Sequence, residues 1–205
     1  MALLNENELK QVADAVARIE RDTDAEVVTV LAAQADDYTY IPLLWAALIA
    51  LLVPGIVNYH AGWLGQRDLL LTQWGLLAVL AFLFRIPAIT TRLVPRSVRH
   101  WRAANLARRQ FLEQNLHHTA GDTGVLIFVS EAERYVEILV DRGIGSRVDD
   151  AVWQPIIEVF ATQVRRGQTL QGFLACIESV GGVLAHHVPA THARNELPDR
   201  LVVLS

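Results

Sequence analysis

Lysine is almost missing from this chain: Lys10 is the only one, and arginine supplies the remaining cations of the 18 Lys and Arg that face 22 Asp and Glu. A net charge of −4 leaves no cationic footprint of the kind that nucleic acid requires, so no nucleic-acid partner is expected. The single cysteine, Cys176, rules out an intrachain disulfide and demands no oxidising compartment; it falls on an apolar helical stripe, which makes it a core residue. The chain has no GxSxG elbow, P-loop, HExxH or CxxC. Serine, histidine and aspartate are present, but a triad is defined by geometry and no spacing nominates one. The first residues, with Glu6, Glu8 and Asp14, lack the basic start, apolar run and small-residue site of a secretory signal.

Charge is also missing from Tyr38 to Gln66. Within that stretch Ile41 to Tyr59 has the length a helix needs to cross about 30 Å of hydrocarbon, and Leu69 to Ile89 forms a second such run, with Trp45 and Trp74 as interfacial aromatics and Arg85 placed to snorkel. Pro54 and Pro87 lie near segment ends, where a missing amide is easier to tolerate. Two spans joined by a short loop make a transmembrane hairpin. The loop carries Arg67, whereas Arg92, Arg96, Arg99, Arg102, Arg108 and Arg109 follow the second span, so the positive-inside rule places both flanks in the cytoplasm of a bacterial-type inner membrane. At roughly 1 kcal/mol per residue near an anionic leaflet, Arg92, Arg96, Arg99 and Arg102 would hold the following helix at the membrane surface. Two spans without an ionisable residue at mid-bilayer offer no ion path unless copies assemble. Homo-oligomerisation stays open, because Gly55 and Gly75 stand alone without a GxxxG face.

The flanks read as one small α/β domain. A helix over Asn5–Arg21 has Leu9, Val12, Val16 and Ile19 on one stripe and capping-box spacing between Asn5 and Glu8. EVVTVL at 26–31 is a buried strand. A basic helix follows over Arg96–Leu116, with Val98, Trp101, Phe111, Leu112 and Leu116 as its apolar positions. Gly124–Ser130 and Tyr135–Val140 form a strand hairpin, and helices over Asp149–Arg166 and Thr169–His186 complete the order. The first two strands are expected to run parallel through a crossover. The fold class is therefore α/β, a small mixed sheet with helices on both faces, interrupted by the two-helix hairpin. The domain boundaries are 1–37 and 92–188 for the two parts of the domain, 38–91 for the hairpin and 189–205 for a tail.

Three segments, ARRQFLEQNLHHT, DTGVLIFVSEAERYVEILVDRGIGSRVDD and the helix pair beginning AVWQPIIEVF, resemble the TPM domain family. The likeness is strongest from Ala107 to Ala185 and extends to Asn5–Leu31. The ending NELPDRLVVL looks like the branch of that family with an inserted membrane hairpin. The resemblance implies an α/β sandwich of a kind found in proteins of membrane or photosystem repair, some binding calcium and some acting as acid phosphatases. Better-known relatives place the domain outside the cytoplasm, whereas the arginines here place it inside, where extracellular calcium is out of reach.

Candidate residues fall at the two ends of the expected sheet. Asp122 before the second strand and Asp141 after the third share one end, with Asp149 and Asp150 folding back towards them. Four carboxylates there would suit calcium or magnesium, although turns and helix caps are the ordinary uses of each. His117 and His118 at a helix end, with Arg108 and Arg109 upstream, form a candidate anion or partner contact, against the plainer role of a histidine meeting the helix dipole. Glu131, Glu133 and Arg134 form the hairpin tip, a solvated turn or a contact for a membrane partner. No reactive constellation emerges, so the reading favours a non-catalytic interaction or membrane-protein maintenance module, with a divalent-metal-modulated phosphatase-like hydrolase as the alternative.

Overall fold

The computed structural model describes residues 4–38, 40–62, 65–86, 94–191 and 197–204. They fall into two compact units, one built from Met1–Ala35 with His100–Ser205 and one from Asp36–Arg99.

The first unit is built on a four-stranded sheet with β1 (Glu26–Ala32), β2 (Gly124–Ser130), β3 (Tyr135–Val140) and β4 (Leu201–Leu204) in the order β3-β2-β1-β4. β1 pairs parallel with β2 from Glu26↔Gly124 to Ala32↔Ser130, as the crossover reading expects, and β2 turns back antiparallel into β3. β4 corrects the sequence reading: the stretch taken as tail runs parallel to β1, with Thr29 opposite Leu201 and Ala32 opposite Leu204. β1 and β2 are buried along their whole length, which suits their continuous β-branched and apolar composition.

Alternate side chains of these strands face two separate cores. Val27, Leu31, Ile127 and Val129 meet α1 (Glu6–Ile19), α6 (Asp150–Arg165) and α7 (Thr169–His187) through Val12, Val16, Phe160, Phe173, Ile177 and Leu184. Val28, Val30, Leu126 and Phe128 meet α4 (Arg96–Glu113). α1 starts as its sequence predicts: the Asn5 side chain accepts from the Glu8 amide at 2.9 Å and the Asn5 amide donates to Glu8 at 2.7 Å. α4 departs from expectation. Its buried residues are Ala103, Ala107 and Gln110, while Trp101 and Leu112, read among its apolar positions, are each 57 % exposed. Small side chains let the helix approach a sheet face already filled by Phe128 and Leu126. A short α5 (Arg142–Gly145) links β3 to α6.

The second unit is a helical pair, α2 (Tyr40–Ala61) and α3 (Gln66–Leu83). Pro42, Ala46, Ala50 and Pro54 recur every fourth residue and form the buried face of α2. This is a small-residue stripe of the kind that permits close helix packing, and a search for GxxxG passes over it. The Gln73 side chain donates to the Leu51 carbonyl at 3.1 Å, a polar tie between the helices. Leu43, Leu44, Leu51, Leu52 and Ile56 of α2 are exposed. Among the described helices α2 alone is long and apolar enough to cross a membrane, with a mean hydropathy of 2.2. The first turn of α3 contains Gln66, Arg67 and Asp68, and the expected end of the second span at Pro87–Ile89 lies outside the described residues.

Candidate functional site

At the carboxyl ends of β1 and β2 the connecting turn Glu131–Arg134 borders a cleft of about 520 Å³. The turn closes through the Arg134 amide on the Glu131 carbonyl at 3.1 Å, and Arg134 adopts a left-handed conformation with φ 52°, uncommon for a residue with a side chain. Its two glutamates act inward. Glu133, only 3 % exposed, accepts from the Ser130 hydroxyl and from the Ala35 amide at 3.1 Å, which fastens the exit of β1. Glu131 accepts from the Thr169 hydroxyl at 2.8 Å, which fastens the first residue of α7. The tip, read as a solvated turn or a partner contact, thus has its two glutamates in a clasp between three elements while Arg134 stays exposed.

Arg134 and Arg165 also line this cleft, with Leu4, Val164 and Leu170 as its apolar wall. Neither arginine has a side-chain hydrogen bond or ion pair among the described residues, whereas the cleft's acids Glu8 and Glu131 are held by internal hydrogen bonds. The site thus offers two uncommitted guanidinium forks beside an apolar surface, a combination suited to a carboxylate-bearing or other anionic group.

The aspartates occupy the opposite end of the sheet. Asp122 has φ 55° and its carboxylate pairs with exposed Arg142 at 3.1 Å. Asp141 caps α5, accepting from the Arg142 amide at 2.7 Å, while its other carboxylate oxygen is buried without a hydrogen-bond partner. Asp149 caps α6 through the Ala151 amide at 2.8 Å, and Asp150 lies exposed in the first turn. Among the described residues no group of three or more His, Cys, Asp or Glu side chains is placed to hold a metal ion.

The remaining candidates are dispersed. Arg109 pairs with Glu113 at 3.4 Å on exposed helix surface. α4 stops at Glu113, and Asn115 turns the chain with φ 58° into a 3₁₀ turn that holds His117 and His118, their rings 4.0 Å apart. Arg108 lies near Glu137 and Tyr135. Arg96, Arg99 and Arg102 begin α4, and Arg92 lies outside the described residues.

Two acidic positions escaped the sequence reading. Burial raises the Glu137 carboxyl, against the opposing pull of the Tyr135 hydroxyl and Arg108, and the same burial with the Glu137 charge raises the Tyr135 hydroxyl. Burial likewise lifts Glu20 to about 9, despite its 2.7 Å bond from the Val27 amide, with Asp199 and Glu26 adding to the rise. An acid alternating with apolar residues in YVEILV is the only sign of the first. The second depends on Asp199 arriving from a distant part of the chain.

A mixed four-stranded sheet with three helices on one face and one on the other is a TPM-like α/β fold. Residues 90–183 match the family model of the TPM domain. The chain is similar to the BA42 protein from the psychrophilic bacterium Bizionia argentinensis, whose NMR structure aligns with a TM-score of 0.61 at 18% identity over 98% of this chain and 94% of that one. That likeness is one of fold. No curated protein matches the sequence.

Proposed function

We propose that this chain is a membrane-anchored TPM-domain protein of the inner membrane, whose α2–α3 hairpin carries the domain on the cytoplasmic side as a non-catalytic interaction or maintenance module for membrane proteins. The observation that carries the reading is α2, 22 residues with large aliphatic side chains exposed and with Pro42, Ala46, Ala50 and Pro54 as its buried face. Such an inside-out helix is stable in lipid and costly in water. The arginines that follow α3, against the lone Arg67 in its first turn, support cytoplasmic flanks. The clasped cleft supports a partner contact: Arg134 and Arg165 suit an acidic segment of a membrane protein.

Reporter fusions test the topology. A reporter after Ser205 should be active only as a cytoplasmic fusion, and one between Ala61 and Gly65 only as an external one; the reverse pattern ends the reading. For the module, photocrosslinking from Gln171 in native membranes should give one dominant adduct, abolished by Arg134→Glu with Arg165→Glu. Both arginines are exposed, so the fold should survive the exchange, and an unchanged adduct would remove the cleft from the contact.

The buried, unpartnered oxygen of Asp141 is the observation that keeps the phosphatase-like hydrolase in view. As an interaction module the full chain in detergent should keep its melting temperature in millimolar calcium or magnesium and should not hydrolyse a generic phosphomonoester. Cation-dependent stabilisation and hydrolysis, both lost in Asp141→Ala, would establish the hydrolase instead.

A further inference from the structure

α4 is inverted relative to an ordinary amphipathic helix, with alanines against the sheet and Trp101 and Leu112 turned out. Residues 101, 105, 108 and 112 are spaced by four, three and four, so Trp101, Asn105, Arg108 and Leu112 share one stripe. The stripe contains no acid of its own, and Glu113, at its margin, is occupied by Arg109. The acid near Arg108 is the half-buried Glu137 of β3, whose raised carboxyl leaves it a weak competitor for an exposed guanidinium. The Arg102 guanidinium lies 5.1 Å from the centre of the Trp101 ring, a cation–π contact that fixes the indole beside a cation. Burial already explains the alanines; nothing in the fold of the first unit uses the tryptophan and leucine.

We infer that the outward stripe of α4 is a lipid-contact surface, with Trp101 and Leu112 seated at the headgroup level of an anionic leaflet and Arg108 between them on lipid phosphates. This inference rests on the membrane-hairpin reading. Three observations select lipid as the occupant. A stripe with one arginine, no acid and two large apolar side chains complements an anionic interface. Tryptophan is the side chain most at home at that depth, with an apolar body and a polar N–H. The helix also starts at Arg96, a dozen residues after α3 ends at Leu83, so a bilayer that held α3 would lie within reach.

The test uses spin labels on the full chain in nanodiscs of phosphatidylcholine and phosphatidylglycerol. Labels are placed by Trp101→Cys, Leu112→Cys, Leu51→Cys and Val159→Cys, all at exposed positions, so the fold is undisturbed. Cys176 can remain, because it is buried and that burial pushes its thiol up to about 12. Val159 is the aqueous control, since α6 covers the face of the sheet opposite α4. The expected result is an oxygen-to-nickel accessibility ratio several-fold higher at 101 and 112 than at 159, below the value at 51. A hydrocarbon-like Leu51 position with 101 and 112 as water-accessible as 159 overturns the lipid surface and leaves the hairpin standing. An aqueous Leu51 position overturns the hairpin itself. Immobilisation of 101 and 112 in native membranes but not in nanodiscs assigns the stripe to a protein and also overturns the proposal.

Discussion

Glu20→Gln is expected to stabilise the protein at pH 8 while leaving it nearly unchanged at pH 4, with the gain growing between the two. Glu20 follows α1 in a 3₁₀ turn, and burial there, reinforced by Asp199 and Glu26, lifts its carboxyl from 4.5 to about 9. Below pH 4.5 folded and unfolded chains both hold the proton. Between 4.5 and 9 the unfolded chain has released it and the folded chain keeps it, so the native state binds more protons and stability falls as pH rises. Each pH unit in that window costs at most about 1.4 kcal/mol, and partial exposure of the group screens this, so a gain of about 2 kcal/mol at pH 8 is expected. Glutamine keeps a carbonyl for the Val27 amide and adds an N–H for the carboxylate of Asp199. Thermal unfolding of the full chain in detergent at both pH values reads the effect, and an equal change at pH 4 and pH 8 would refute it. Because Glu26 also accepts from the Leu197 amide at 3.1 Å, the same acids hold the approach to β4, and amide exchange in Leu201–Leu204 should quicken with pH in the wild type beyond the intrinsic increase, but not in the variant.

How far the sequence could be read depended on how local each determinant was. GVLIFVS and YVEILV became β2 and β3 with the same bounds, since β-branched runs about a polar turn specify a hairpin without outside help. The Asn5–Glu8 cap was equally local. LVVL at 201–204 is too short to stand out, and its partner β1 lies far away in sequence, so only the assembled sheet reveals it. In α4 the sequence marked apolar positions but could not say that alanines would face the sheet, because the choice depends on how closely Phe128 lets the helix approach. The candidate site follows the same division. Glu131, Glu133 and Arg134 were visible as a charged turn. That Glu133 is buried on the Ala35 amide, 98 residues away, and that Arg165 enters the same cleft, are properties of packing.

The turn between α6 and α7 positions that cleft, and its tightness sets the second large effect: Phe160→Ala should cost about 3–5 kcal/mol, the range for a buried phenylalanine. Phe160 is 1 % exposed and meets Phe173 edge to face at 5.0 Å, so its removal leaves a cavity between the two helices. Gly172 exists because of the same ring: a Cβ there would lie 2.6 Å from Phe160 Cδ2, close enough to force the helices apart. Gly172→Ala alone should therefore cost about 1–3 kcal/mol by overpacking. In the double variant the methyl enters the space the ring has left, and the two costs should fall short of their sum by at least about 1 kcal/mol, the signature of contacting sites. Strict additivity would mean that the two side chains do not share the space. Since Val164, Arg165, Thr169 and Leu170 flank this contact and line the cleft, Gly172→Ala should also weaken the adduct formed from Gln171, with part of it returning in the double variant. A weakened adduct that does not recover would place the lost contact in the fold as a whole, and recovery would tie partner engagement to the spacing of α6 and α7.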